Sequence, residues 1–389
     1  MTHTRRLALA LIVLTAGCAQ PPCPVCPPPK PPAERAQYLE RSFAALPGWD
    51  AAQLEPSLRA FMAGCPRSAG PLIAACATAT TVPAGDEAAA RRFFETVFIP
   101  YSLAGESGDT GLVTGYYEPI LSGSRTRDAV NRYPIYGVPD DLVVVELASV
   151  NPEVRGLRLR GRLDGRRLVP YSSRGEIDAS AALRAPVLAW AADPVELFFL
   201  HVQGSGQIQL DSGERIRLGF AEQNGHPYRS LGRYLVDRGE MPLEQASMQG
   251  IKSWAAANPG RLQEALAANP SYVFFRELAD PRGPIGALGV ALVPEYSIAV
   301  DRRFVPLGAP VFLLTTRPNS DEPLVRLVAA HDAGGAIRGA VRADFFWGTG
   351  ADAGALAGRM RQQGKMWLLW PRGAPPPAAP SASPDPAGR

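Results

Sequence analysis

Apolar positions along this chain change their spacing several times, and each change predicts a different element. Residues 7–14 form an unbroken apolar run. From about Glu34 to Phe98 apolar residues recur at helical spacing, as in Tyr38, Phe43 and Leu46, in Leu58, Phe61 and Met62, and again over residues 88–97. From Leu112 to Leu218 the period shortens to brief runs at residues 112–114, 142–145, 157–159, 187–188, 197–200, 208–210 and 216–218, broken by Gly, Pro, Asn and Asp. Many short strands at close spacing predict a β-barrel or sandwich. Helical spacing returns over residues 230–266, and strand-like runs resume at 272–275, 297–300, 311–314 and 324–328. After residues 367–370 the tail, 373–389, is mostly Pro, Ala and Ser and is expected to be disordered.

Composition narrows the picture. A chain of 389 residues with 46% hydrophobic content can bury at least one full core. Its 40 basic and 37 acidic residues nearly cancel, so nothing in the overall field marks a nucleic-acid binder. Arg5 and Arg6, the apolar run, and then Ala16 and Gly17 before Cys18 read as a secretory signal over residues 1–17. The sequence Leu14-Thr15-Ala16-Gly17-Cys18 resembles a bacterial lipoprotein signal, which implies acylation of Cys18, and Ala19 after it favours the outer membrane. Residues 18–34 are proline-rich and read as a semi-rigid linker, with Cys23 and Cys26 as linker cysteines. Cys65 and Cys76 lie close together in a helical region, where an exported chain could keep a disulfide.

The candidate chemistry is carboxylate chemistry. His201, His226 and His331 lack metal-ligand spacing, so no metal is expected, and His201 is expected to be structural. Gln203-Gly204-Ser205-Gly206 is not a GxSxG elbow, and no phosphate loop or nucleotide fingerprint implies a cofactor. Asp301 follows an apolar run, Asp332 follows a strand-like run and precedes Gly334-Gly335, and Asp344 is followed by Phe345, Phe346 and Trp347. Such aspartates either cap turns or, where aromatic surface strips away water, hold a proton at neutral pH. Local sequence leaves both readings open.

Ordered blocks of sequence go further. The stretches 299–312, 330–339 (Ala-His-Asp-Ala-Gly-Gly-Ala-Ile-Arg-Gly) and 342–348 (Arg-Ala-Asp-Phe-Phe-Trp-Gly) resemble the three-aspartate (3D) domain of the membrane-bound lytic murein transglycosylase A family. Upstream, Thr114-Gly115-Tyr116-Tyr117-Glu118-Pro119, Tyr133-Pro134-Ile135-Tyr136, the stretch from Tyr171 to Ile177, that from Phe199 to Gly206, that from Asn224 to Ser230, and Ser247-Met248-Gln249 resemble the same family's other blocks in the same order. The likeness runs from about Phe43 to Trp370.

The resemblance implies a mainly β fold with accessory helices: a double-psi β-barrel from residues 35–115 and 229–372, an inserted smaller β-barrel at 116–228, and a groove between them. It implies non-hydrolytic cleavage of the β-1,4 bond between N-acetylmuramic acid and N-acetylglucosamine, leaving 1,6-anhydromuramoyl ends. Asp344 is then the single general acid/base, with Asp332 and Asp301 supporting it. Tyr117, Glu118, Gln203, Ser205 and Gln249 carry over as groove candidates. Peptidoglycan strands are the implied partner, with cell-wall synthesis and division proteins as further ones, and the implied place is the periplasmic face of the outer membrane, held by the lipid on Cys18. Two other readings stay open: an inverting glycan hydrolase with Asp332 or Glu118 as base, and a non-catalytic wall-binding lipoprotein.

Overall fold

In a computed structural model of the chain, the described residues are 35–147, 149–151, 158–180, 183–279 and 283–377. The signal, Cys18, the linker and residues 378–389 of the tail lie outside them. No helix among the described residues is long and apolar enough to cross a membrane.

A short strand, β1 (Gln37–Glu40), precedes α1 (Glu55–Gly64), α2 (Leu72–Ala79) and α3 (Glu87–Val97), and β2 (Phe98–Ala104) and β3 (Gly111–Glu118) follow. Tyr38, counted among the helical positions, instead sits in β1 and pairs with Leu103 of β2. Asp86 caps α3 by accepting from Ala89 N at 2.8 Å, which satisfies one of the amides that a first turn leaves free. The inner face of α3, Phe93 and Phe94, meets Phe61 and Phe98 with ring centroids 5.1 to 6.4 Å apart, mostly edge to face. A disulfide joins Cys65 to Cys76, 11 residues on, with Cα atoms 5.6 Å apart. Closing a loop of that size contributes about 3 kcal/mol in the chain-entropy treatment.

The chain then leaves the first sheet and builds a second. Its elements are β4 (Ile120–Ser124), β5 (Tyr133–Tyr136), β6 (Val143–Glu146), β7 (Arg158–Asp164), β8 (Arg167–Val169), α4 (Arg174–Ala179), β9 (Val187–Ala191), α5 (Pro194–Gln203), β10 (Ser205–Leu210), β11 (Arg215–Gln223), α6 (Leu231–Asp237), α7 (Met248–Ala257), α8 (Leu262–Ala267) and β12 (Val273–Leu278). Six strands pair in the order β12-β11-β10-β4-β9-β5, and the sheet curls until its edge strands touch without hydrogen bonding. Strands β6, β7 and β8 form a separate small sheet, tied back to β11 where Arg158 and Arg160 meet Glu222 at 2.8 and 2.6 Å.

Two expectations change here. Residues 197–200, read as a strand, lie in α5. A run of four apolar residues suits either element, and the start signal decides: Asp193 accepts from Val195 N and Glu196 N, and Pro194 occupies the first turn. The helix is apolar on both sides because Leu197 and Leu200 face the sheet while Val195 and Phe198 face α6 to α8. The inserted sheet also runs past residue 228, since β12 pairs with β11, and the three intervening helices pack on α5.

The remaining strands, β13 (Ser297–Val300), β14 (Pro310–Thr316), β15 (Pro323–Asp332), β16 (Arg342–Thr349) and β17 (Arg361–Pro371), with α9 (Ala351–Ala357), return to β3. Pairing runs β17-β14-β15-β13-β16-β3 and back to β17, a closed ring of six strands in which β13–β15 and β16–β3 are parallel. Closure removes the open edges that would invite other chains. The mainly β architecture agrees with the expectation, and the ring is consistent with a double-psi barrel. Val113, Ile298, Val311, Ala343 and Phe345 belong to the core that fills it.

Candidate active site

The ring's strand register lines up the candidate residues. Ala299 of β13 pairs with Asp332 of β15 on one side and with Asp344 of β16 on the other. Asp344 in turn pairs with Thr114 of β3, and Thr114 with Arg361 of β17. Directly paired residues share a face, so Asp332 and Asp344 lie on one face with backbones about 10 Å apart, two strand spacings. Alternation along β16 puts Arg342, Asp344 and Phe346 on that face and sends Ala343, Phe345 and Trp347 into the core. The aromatic surface sharing the face of Asp344 is therefore Phe346, packed on Tyr116 at 5.2 Å, rather than Phe345 or Trp347.

Hydrogen bonding fixes which oxygen of Asp344 can carry a proton. Arg342 Nη2 donates to Thr114 Oγ1 at 2.9 Å, so the single hydroxyl proton of Thr114 is left to donate to Asp344 Oδ1, at 2.6 Å. Among the described residues nothing donates to Oδ2, which is the position left for a proton. Burial pushes the Asp344 carboxyl up to about 6; Thr114 and Arg342 pull it down, and the charge of Asp332 pushes it up further. Burial also raises Asp332, against the amides of Ala287 and Ala333, which donate to its Oδ1 at 2.8 and 2.9 Å. The Tyr116 hydroxyl is buried toward the same two carboxyls. It is within reach of Asp332 yet completes no hydrogen bond of ordinary geometry.

The other expected site residues separate into groups. Asp301, 2% exposed, accepts from Arg303 N and side chain and from Gly339 N at 2.9 Å. Burial pushes it up, but those bonds and the charge of Arg303 outweigh burial and hold it below the usual carboxylate range. It clamps the turn after β13 to the segment before β16, and the charges acting on Asp344 are those of Arg342 and Asp332.

Glu118 is fully buried. It accepts from Arg217 Nε at 2.8 Å, Gln207 Nε2 at 2.7 Å and Thr349 Oγ1 at 2.8 Å, so it bolts the second sheet to the ring. Tyr117 is likewise a core residue, donating its hydroxyl to Met248 Sδ at 3.3 Å and its amide to Gln203 Oε1 at 3.2 Å. Those contacts gather Gln203, the first residue of β10, Ser205, and the start of α7, where Gln249 is exposed, at the end of β3. His201 is buried beside Arg174, with its Nδ1 2.8 Å from Nη2.

Thr114, Tyr116 and Arg342 were not singled out from sequence. Period two along β3 would have found two of them, because Val113, Gly115 and Tyr117 turn one way and Thr114 and Tyr116 the other. Gly115 marks the inward side: a Cβ there would stand 2.7 Å from Trp347 Nε1 and 2.9 Å from Ala357 Cα. Among the described residues no group of His, Cys, Asp and Glu could hold a metal ion. Two surface hollows, one lined by Glu40, Arg41 and Arg372 and the other by Pro56, Arg59 and Tyr296, contain neither aspartate.

Residues 112–276 match the MltA specific insert domain and residues 296–370 the 3D domain. Membrane-bound lytic murein transglycosylase A of Escherichia coli K12 is 36% identical over 264 residues, 66% of this chain and 64% of that protein. The Vibrio cholerae protein of the same name is 30% identical over 273 residues, 68% of this chain and 67% of its own length. The chain thus spans a little under two thirds of the length of its curated E. coli relative. Among solved structures, MltA from Neisseria gonorrhoeae superposes with a TM-score of 0.78 at 42% identity, covering 90% of this chain and 97% of that one. E. coli MltA with bound chitohexaose gives 0.65 at 28% identity, covering 87% and 95%. On its matching domains, its relatives and its fold, this chain belongs to the membrane-bound lytic murein transglycosylase A family.

Proposed function

We propose that this chain is a lytic transglycosylase that cleaves the β-1,4 bond between N-acetylmuramic acid and N-acetylglucosamine in peptidoglycan. The observation that carries the reading is the Asp344 carboxyl, raised to about 6, with Oδ1 fixed by Thr114 and, among the described residues, no donor on Oδ2. Protonated Oδ2 gives its proton to the glycosidic oxygen as the C1–O bond breaks. The C6 hydroxyl of the same muramic acid then attacks C1, and its proton passes to the Asp344 carboxylate, which restores the acid and leaves a 1,6-anhydro end. No water enters. Asp332, as an anion on the same face, stabilises positive charge developing at C1.

An inverting hydrolase would need its second carboxylate across the sugar from the acid. Asp332 shares the face of Asp344 and Glu118 is fully buried, which favours the transglycosylase. A bound chitohexaose in the E. coli relative supports a glycan strand as ligand. Mass spectrometry of digested peptidoglycan should find anhydro ends, and reducing ends alone would overturn the reading.

The pH dependence follows from the same carboxyls. Because Asp344 must start protonated, kcat/KM should fall about tenfold per pH unit above roughly 6, and it should fall again on the acid side as Asp332 gains a proton. A profile still rising past pH 7 would contradict the role of Asp344.

The relatives' names support membrane attachment, and the anchor proposed for this chain is acylated Cys18 at the periplasmic face of the outer membrane. The wild type should then fractionate with outer membranes and Cys18→Ser with the soluble periplasm. Equal partition of both would exclude the anchor.

A further inference from the structure

Tyr116 has no task in the mechanism above, yet its hydroxyl is buried toward both carboxyls, within reach of Asp332, and among the described residues it completes no hydrogen bond of ordinary geometry. A buried donor left open destabilises a fold unless it has a use. Its ring packs on Phe346 at 5.2 Å, on the face that carries Asp344. One oxygen of each carboxyl is already occupied: Oδ1 of Asp344 by Thr114, and Oδ1 of Asp332 by the amides of Ala287 and Ala333. Among the described residues, the second oxygen of each accepts no hydrogen bond of ordinary geometry.

We propose that Tyr116 is the positioning residue of the carboxylate pair, donating its hydroxyl to whichever of Asp332 and Asp344 is charged. With Asp344 protonated, the hydroxyl turns to Asp332 and keeps the proton on Asp344, where the reaction needs it. When that proton leaves for the glycosidic oxygen, two neighbouring anions face each other, and rotation about the Cζ–Oη bond brings the donor to Asp344 Oδ2. Other charged groups around the pair come from different strands: Arg342 on β16, acting directly and through Thr114, and Arg361 on β17, in register with Thr114. The charges acting on the Tyr116 hydroxyl are those of Asp332 and Asp344. This inference rests on the reading of Asp344 as the acid/base.

Tyr116→Phe keeps the ring on Phe346 and removes only the donor. Its kcat should fall about 10- to 100-fold, the worth of one hydrogen bond to a charged group, with KM within about twofold of wild type. The acid limb of the pH profile should move toward neutrality, because Asp332 then gains its proton at higher pH. In an Asp332→Asn background the same change should reduce kcat clearly less, since one of its two anions is already gone. Ring-fluorinated tyrosine at position 116, a stronger donor of nearly the same shape, should move the acid limb the opposite way.

Wild-type kcat and unmoved limbs in Tyr116→Phe would overturn the proposal, as would a lower melting temperature with unmoved limbs, which is the mark of a packing role. If Asp344→Asn cleaves as well as wild type, the acid/base reading itself has failed. If Asp344→Asn is inactive and Tyr116→Phe behaves as wild type, only the role of Tyr116 has.

Discussion

Asp344→Asn is expected to lose at least about 10³-fold in turnover, since a positioned acid or base contributes roughly 10² to 10⁴ and this residue serves as both in turn. The amide still fills the space and still accepts from Thr114, so the fold should survive. Stability should rise. A carboxyl whose proton is held up to about 6 in the folded protein, against an ordinary 3.8, penalises the folded state once the pH passes 3.8, and the penalty is complete above about 6. At roughly 1.4 kcal/mol per pH unit the upper figure is about 3 kcal/mol at pH 7, which Asn does not carry. Thermal melts at pH 7 should place the variant above the wild type, and the gap should close as the pH falls toward 4. A variant less stable than wild type at pH 7 would mean that Asp344 is a structural anion. Trading stability for chemistry in this way is common at active sites.

Glu118→Ala is expected to have the largest effect on folding. Its carboxylate, fully buried, accepts from Arg217 of β11, Gln207 of β10 and Thr349 of β16. Removing one partner of a buried, hydrogen-bonded ion pair typically destabilises by about 3 to 5 kcal/mol. The loss should appear as a lowered melting temperature and as separate unfolding of the ring and the second sheet, because these bonds cross between them. Cleavage should drop only in proportion to the folded fraction. A full melting temperature with a lowered kcat would instead make Glu118 part of the catalytic machinery.

How far these features were legible in the sequence depends on how local their causes are. Period two marked the strands at 208–210, 216–218 and 297–300 because each buries one face or both. Ring closure was not legible in the pattern itself, since β17 pairs with β3 through residues 361–364 and with β14 through 365–368, contacts with no local signature. Three helices between β11 and β12 hid the true extent of the inserted sheet. Asp344 emerged from the order of motif blocks, while its raised proton affinity depends on burial and on Asp332 two strands away. Tyr117 carried over with its motif block and Tyr116 did not, yet on β3 Tyr117 turns into the core and Tyr116 toward the carboxyls, because one residue of register decides the face. Glu118 carried over as a groove candidate with its motif block, whereas Arg217 and Gln207, about ninety to a hundred positions later, bury it.

The central claim is that Asp344 works alone because the sugar supplies its own nucleophile. Digestion of isolated peptidoglycan in heavy-oxygen water, with the new muramic acid ends weighed, tests it most directly. Ends that lack the heavy isotope and carry the anhydro mass, formed by wild type and absent with Asp344→Asn, are the predicted result. New ends that carry heavy oxygen at C1 and lack the anhydro mass would contradict it, because water rather than the sugar's own C6 hydroxyl would then have attacked C1.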